Sequence, residues 1–100
     1  MKIKIPFNTW SRERLKKGIK TATSRNKKYG EIDDTFVVDG VEYTLTAVCK
    51  ANLSTIRDLC FDIEGCNSPD EFVEVWKEIH PYKGWLPNQK VWFHRFKKVK

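Results

Sequence analysis

Hydrophobic and polar positions alternate at both ends of the chain and follow helical spacing between them. Lys2 to Phe7 alternates with the two-residue period of a strand. Trp10 to Lys17 reads as a short helix, capped by Asn8 or Thr9 and stopped by Gly18. Thr21 to Arg25 is a second short strand, and Asn26 to Asp34 a polar loop. Phe36-Val37-Val38, then Asp39-Gly40, then Val41 to Cys49 predicts a hairpin with a type I′ turn. A helix is expected from Asn52 or Ser54 to Glu64. Its apolar stripe is Leu53, Ile56, Leu59, Cys60 and Ile63, and Gly65 ends it. Ser68-Pro69-Asp70-Glu71 is a capping box with proline at the first helical position. The helix it opens runs to Ile79, with Phe72, Val75, Trp76 and Ile79 on one face. Tyr82 to Gln89 is a loop, and Lys90 to Val99 a closing strand. Strands at both ends, a central hairpin and three short flanking helices predict an α+β domain built on a small closed β-barrel.

Length and composition refine this picture. One hundred residues without repeat, linker or low-complexity tract make one domain, residues 1–100. The formal net charge of +6 favours an anionic partner, with nucleic acid ahead of a membrane. The positive charge gathers between Arg12 and Lys28 and at Lys97, Lys98 and Lys100, whereas Glu31 to Glu78 is mostly acidic. The N-terminus lacks the apolar run of a signal peptide, and no stretch is long enough to span a bilayer. Cys49, Cys60 and Cys66 form an odd set without a C-x-x-C pair, which fits a reducing cytoplasm. Together with His80 and His94 they match no standard zinc spacing, so neither metal nor cofactor is expected.

The most informative stretch is Gly18-Ile19-Lys20-Thr21-Ala22-Thr23-Ser24-Arg25, a G-x-K-x-x-T-x-R pattern. Strand alternation places Thr21, Thr23 and Arg25 on one face, with Lys20 at its entrance. A hydroxyl between two cations suits a phosphate, a polarised carbonyl or a nucleobase edge. On the same alternation Ser24 faces away from Thr23 and is read as structural.

Gly18, Lys20, Thr23 and Arg25 resemble the signature of the ASCH domain, a small β-barrel of the PUA-like superfamily. Further segments agree in order: Phe7 to Trp10, Tyr29-Gly30, Asp34 to Val38, Glu64-Gly65, Ser68 to Phe72, Trp76 and Val91 to Phe96. The resemblance thus covers nearly the whole chain. Asp33 departs from it, since the family often has glycine there. Aspartate tolerates left-handed turn geometry, so a modified turn is expected. The resemblance implies a cleft that binds RNA or a modified nucleoside. It also implies a second possibility, because some similar domains are metal-independent amidohydrolases that remove the acetyl group from acetylated cytidine. Their catalytic residues map onto Lys20, Thr23 and Glu64, as base, nucleophile and acid/base. An adaptor module for transcription or translation machinery is a third.

Each residue also has a plainer reading. Lys20 and Glu64 could form a structural salt bridge. Arg25 reads a phosphate or base edge, or is only solvated. Trp10 and Trp76 could stack a base, although the helical spacing of Trp76 favours packing. Tyr29 lines the cleft or pins its loop. His94 is read as a hydrogen-bonded structural residue, Trp92, Phe93 and Phe96 as barrel wall, and Glu71 as part of a cap. The partner expected is RNA or a modified nucleoside, and the chain is read as a monomer.

Overall fold

Asn8 opens the first element, its side-chain oxygen accepting the Ser11 N–H at 2.8 Å. The computed structural model describes all residues, Met1–Lys100. The elements in order are helix α1 (Thr9–Lys16), strand β1 (Ala22–Arg25), β2 (Thr35–Val38), β3 (Val41–Asn52), α2 (Leu53–Leu59), α3 (Pro69–Ile79) and β4 (Lys90–Lys98). The four strands form one antiparallel sheet in the order β1-β4-β3-β2, curled into a half-barrel. The α+β architecture with three helices is the one the sequence predicts; the barrel, expected closed, is open between β1 and β2, which do not pair.

The hairpin forms because Asp39 and Gly40 both take positive φ, 50° and 81°, as a type I′ turn requires. Asp33 is left-handed too, at 77°, which is the modified turn expected there. Between Leu45 and Ala47 the β3–β4 register slips by one residue. Such a bulge bends its strand and sharpens the local twist, which helps the sheet curl.

Both faces of the sheet are covered. One carries Ala22, Val91 and Phe93, packed with Leu53, Ile56, Phe72 and Trp76 from α2 and α3. The other carries Tyr43, Leu45 and Phe96, packed with Phe36, Leu15 and Ile5. There Phe36 stacks on Tyr43 at 5.4 Å and meets Phe96 edge-on at 5.3 Å. Helix α3 follows its capping box. Ser68 Oγ accepts the Glu71 N–H, while Glu71 Oε1 reaches back one residue further than the cap, to the Asn67 N–H at 2.7 Å.

Two elements differ from expectation. The strand predicted over Lys2 to Phe7 shrinks to one parallel bridge, Lys2 with Thr35. Ile3, Ile5 and Phe7 still pack onto the second core cluster, so the alternation is real. It is satisfied by burial without a ladder, and Pro6 has no N–H to offer one. The second helix ends at Leu59 and does not reach Glu64. The chain turns there so that the Ile63 carbonyl can accept from Thr21 and Ala22 N–H, at 2.7 and 3.0 Å. Pairing with the start of β1 outcompetes another helical turn, and it leaves Leu59 74% exposed.

Candidate functional site

Beside β1 lies a cavity of about 610 Å³, lined by residues from α1, β1, the loop after it, the turn after α2, and α3. Lys20, Thr23, Ser24, Arg25 and Glu64 all line it, with Phe7, Trp10, Tyr29 and Trp76 among its aromatic walls.

Lys20 is not at an entrance. It is 4% exposed, and Glu64 is 5% exposed. The Lys20 ammonium donates to the Glu64 main-chain oxygen at 2.9 Å and meets its carboxylate Oε1 at 3.4 Å. Gly65 makes this approach possible. Its φ is +100°, and a Cβ there would sit 3.2 Å from Lys20 Cβ and 3.1 Å from Arg14 Cδ. Arg14 secures the same turn by donating from Nε to the Gly65 oxygen at 3.0 Å. Burial pushes the Lys20 ammonium below its usual value; the Glu64 carboxylate opposes this and Arg25 adds to it.

The other carboxylate oxygen of Glu64 is taken by a residue that strand alternation read as merely structural. Ser24 Oγ donates to Glu64 Oε2 at 2.6 Å. Ser24 does face away from Thr23, but β1 is an edge strand and the cavity opens onto both of its faces. One signal for Ser24 was available. Its face carries Ala22 and packs into the apolar core, so a hydroxyl there needs a buried partner.

Thr23 and Arg25 pair with each other, Arg25 Nε donating to Thr23 Oγ1 at 3.0 Å. The expected hydroxyl flanked by two cations is thus divided: Arg25 holds Thr23, while Lys20 turns to Glu64. The Arg25 guanidinium lies 4.9 Å from the Phe7 ring centre and 5.9 Å from that of Tyr29. Burial lowers its pKa, opposed by Tyr29 and Glu64.

Each of the two cavity tryptophans already has a neighbour against its ring. The Arg14 guanidinium covers Trp10 at 3.8 Å. Trp76 is buried core, as its spacing favoured, and His80 lies against its ring at 4.2 Å. The Trp76 indole N–H has no acceptor. Cys66 also lines the cavity, but burial pushes its thiol up to about 12, so it is no nucleophile near neutral pH.

His94, 0% exposed, braces the site from behind. Its Nε2 accepts the Tyr29 N–H at 3.1 Å, and its Nδ1 faces the Thr23 carbonyl at 3.3 Å. Nδ1 is therefore the protonated nitrogen of a neutral ring, and burial lowers its pKa. This is the structural role expected of it, and through it Tyr29 is pinned while lining the cavity.

No protein-family model and no curated protein matches the sequence. Solved structures do match over nearly the full chain. A hypothetical protein, PH0355, is similar with a TM-score of 0.70 at 15% identity, covering 99% of this chain and all of that one. An ASCH domain from Lactobacillus crispatus is similar with a TM-score of 0.64 at 15% identity, covering 98% of this chain and 78% of that one. Protein EF3133 from Enterococcus faecalis gives 0.63 at 21% identity, covering 93% and 76%. With its curled sheet and three helices matched almost end to end, the chain has an ASCH-like fold.

Proposed function

We propose that the cavity binds a nucleoside, free or within RNA, and presents its base to Lys20, Ser24 and Glu64. The observation that carries this reading is the buried Lys20–Glu64 pair on the wall of an aromatic-lined cavity. A buried ion pair adds little stability over an apolar pair of the same volume. Its presence in a cavity of ligand size points to recognition of polar groups. The ASCH-like fold and the net charge of +6 agree with a nucleic-acid ligand.

The lowered pKa of Lys20 favours a second reading of the same site, amide hydrolysis on an acylated cytidine. A partly desolvated lysine can act as a base near neutral pH. Lys20 would swing from Glu64 to Thr23 Oγ1 and take its proton. Thr23 Oγ1 would then attack the acyl carbon. The C–N bond breaks, the exocyclic amine leaves with a proton from Lys20 or Glu64, and water hydrolyses the acyl ester. Arg25, already on Thr23, lies where it can steady the oxyanion.

The test is calorimetric titration with cytidine and acetylcytidine, alongside an assay for free cytidine. Saturable binding that weakens in Lys20→Met and Glu64→Gln is the expected result. Cytidine release by the wild type, reduced about 10²-fold or more in both variants, adds the hydrolase. If neither nucleoside nor an RNA oligomer binds the folded protein at low salt, the proposal is wrong.

A further inference from the structure

Five cations outside the cavity sit beside a carboxylate. Arg12 and Lys16 meet Asp39, Lys28 meets Glu31, Arg57 meets Asp58 and Lys77 meets Glu74. The cavity gathers more cations than carboxylates. It is lined by Lys20, Arg25 and Lys27 against a single carboxylate, Glu64, which Lys20 already engages. Arg25 and Lys27 have no acidic partner. Both approach the Tyr29 ring instead, at 5.9 and 4.8 Å, and Arg25 lies closer still to Phe7, at 4.9 Å.

Two like charges near one ring repel each other, and half-buried Arg25 loses part of its hydration. A bound anion removes both costs. The geometry leaves groups free to hold one. Arg25 spends Nε on Thr23, so both of its terminal nitrogens keep their protons. Thr23 Oγ1 accepts from Arg25, so its own hydroxyl proton remains available. Lys27 is exposed at the rim and can close over the top.

We infer that Arg25, Lys27 and the Thr23 hydroxyl form a phosphate subsite at the mouth of the cavity, so that the ligand is a phosphorylated nucleoside. The inference rests on the nucleoside reading of the cavity and narrows it. A planar base enters the aromatic-walled cavity, while its phosphoryl group stays at the cationic rim. Two uncompensated positive charges match a terminal phosphate, which carries close to two negative charges near neutral pH. A phosphodiester of an RNA strand has the same oxygen acceptors with one charge.

The experiment is calorimetry at fixed ionic strength with cytidine, cytidine monophosphate and the dinucleotide cytidylyl-cytidine, which has only the internal phosphodiester. Wild type should bind the monophosphate at least about tenfold tighter than cytidine, the worth of one charge-assisted arginine hydrogen bond. In Arg25→Gln that ratio should fall below about threefold, and in Lys27→Gln it should fall by a smaller factor. A dinucleotide that matches the monophosphate assigns the subsite to a strand phosphate; one that matches cytidine assigns it to a terminal phosphate. Equal wild-type affinities for cytidine and its monophosphate, or a ratio that survives Arg25→Gln, would overturn the subsite. A readout on the wild-type chain covers a variant that fails to fold. Inorganic phosphate alone should shift the Arg25 Nε–H resonance in a ¹H–¹⁵N spectrum. If neither cytidine nor its monophosphate binds, the nucleoside reading fails. A persisting phosphate shift then upholds the anion subsite by itself, and an unmoved resonance removes it as well.

Discussion

Replacing Lys20 by methionine isolates the charge at the centre of the site. Methionine can follow the aliphatic stem of lysine, so most packing survives and the ammonium is lost. Two bonds go with it, the 2.9 Å bond to the Glu64 main-chain oxygen and the 3.4 Å contact to its carboxylate. At 3.4 Å, two unit charges attract by about 5 kcal/mol at an effective dielectric near 20. In the native protein, desolvation of both ions offsets much of that attraction. In the variant the attraction is gone but the desolvation of Glu64 remains: it stays buried with Ser24 as its remaining side-chain partner. The expected loss is therefore about 3–5 kcal/mol, as for other broken buried pairs. That is a large part of a typical total of roughly 5–15 kcal/mol. Urea denaturation at pH 7 measures it, with Glu64→Gln and the double variant completing a cycle. The double variant should be about 2 kcal/mol or more better than the sum of the single losses. A Lys20→Met protein within about 1 kcal/mol of wild type, or strictly additive losses, would refute the account of Glu64 as a buried, compensated carboxylate.

Three further outcomes are expected. Ser24→Ala removes a 2.6 Å charge-assisted bond to Glu64 and should cost about 1.5–3 kcal/mol in the same denaturation assay; an unchanged midpoint would return Ser24 to the role its strand position suggested. Gly65→Ala puts a Cβ at φ +100° against Arg14 and Lys20, so it should cost more than about 1 kcal/mol and lower nucleoside affinity, whereas wild-type stability would mean that the turn shifts freely. His94 and His80 both have pKa values lowered chiefly by burial, so the unfolded chain takes up their protons first. Stability should be full above about pH 6.5 and fall as pH drops below it toward the lowered folded values, with buried His94 contributing more than half-buried His80; a flat urea midpoint between pH 7 and 5 would contradict this.

What could be read from the sequence was local. Ser68-Pro69 and the Phe72/Trp76 spacing define α3 through the chain's own geometry, and Asp39-Gly40 defines the hairpin in the same way. Neither depends on a distant partner. The end of α2 does. Ile56, Cys60 and Ile63 continue the helical period past Leu59, and only the demand of Thr21 and Ala22 for an acceptor explains the turn. The same long-range contact sets the candidate site. Lys20, Thr23, Arg25 and Glu64 were identifiable from residue type and the ASCH resemblance, and the fold brings all four to one cavity. The Lys20–Glu64 pair was legible as a salt bridge; the Arg25–Thr23 and Ser24–Glu64 pairings were not. Alternation along β1 separates Thr23 from Ser24, but it does not reveal that a free sheet edge exposes both to one space. Nor does the position of Lys20 after Gly18 reveal that Arg14 and Gly65 fold over it.

The buried His94 imidazole has a consequence for motion. One ring ties the backbone of the rim loop at Tyr29 to the backbone of β1 at Thr23, using both nitrogens in a single tautomer. Rim and strand cannot slide past each other without breaking one of these two bonds. The Tyr29 amide should then exchange with deuterium on the timescale of the sheet, slower than its loop neighbours. A ligand entering such a mouth meets an already ordered rim and loses little affinity to ordering it. Protonation of that ring would remove the acceptor for Tyr29 and loosen the rim, coupling the stiffness of the opening to acidity.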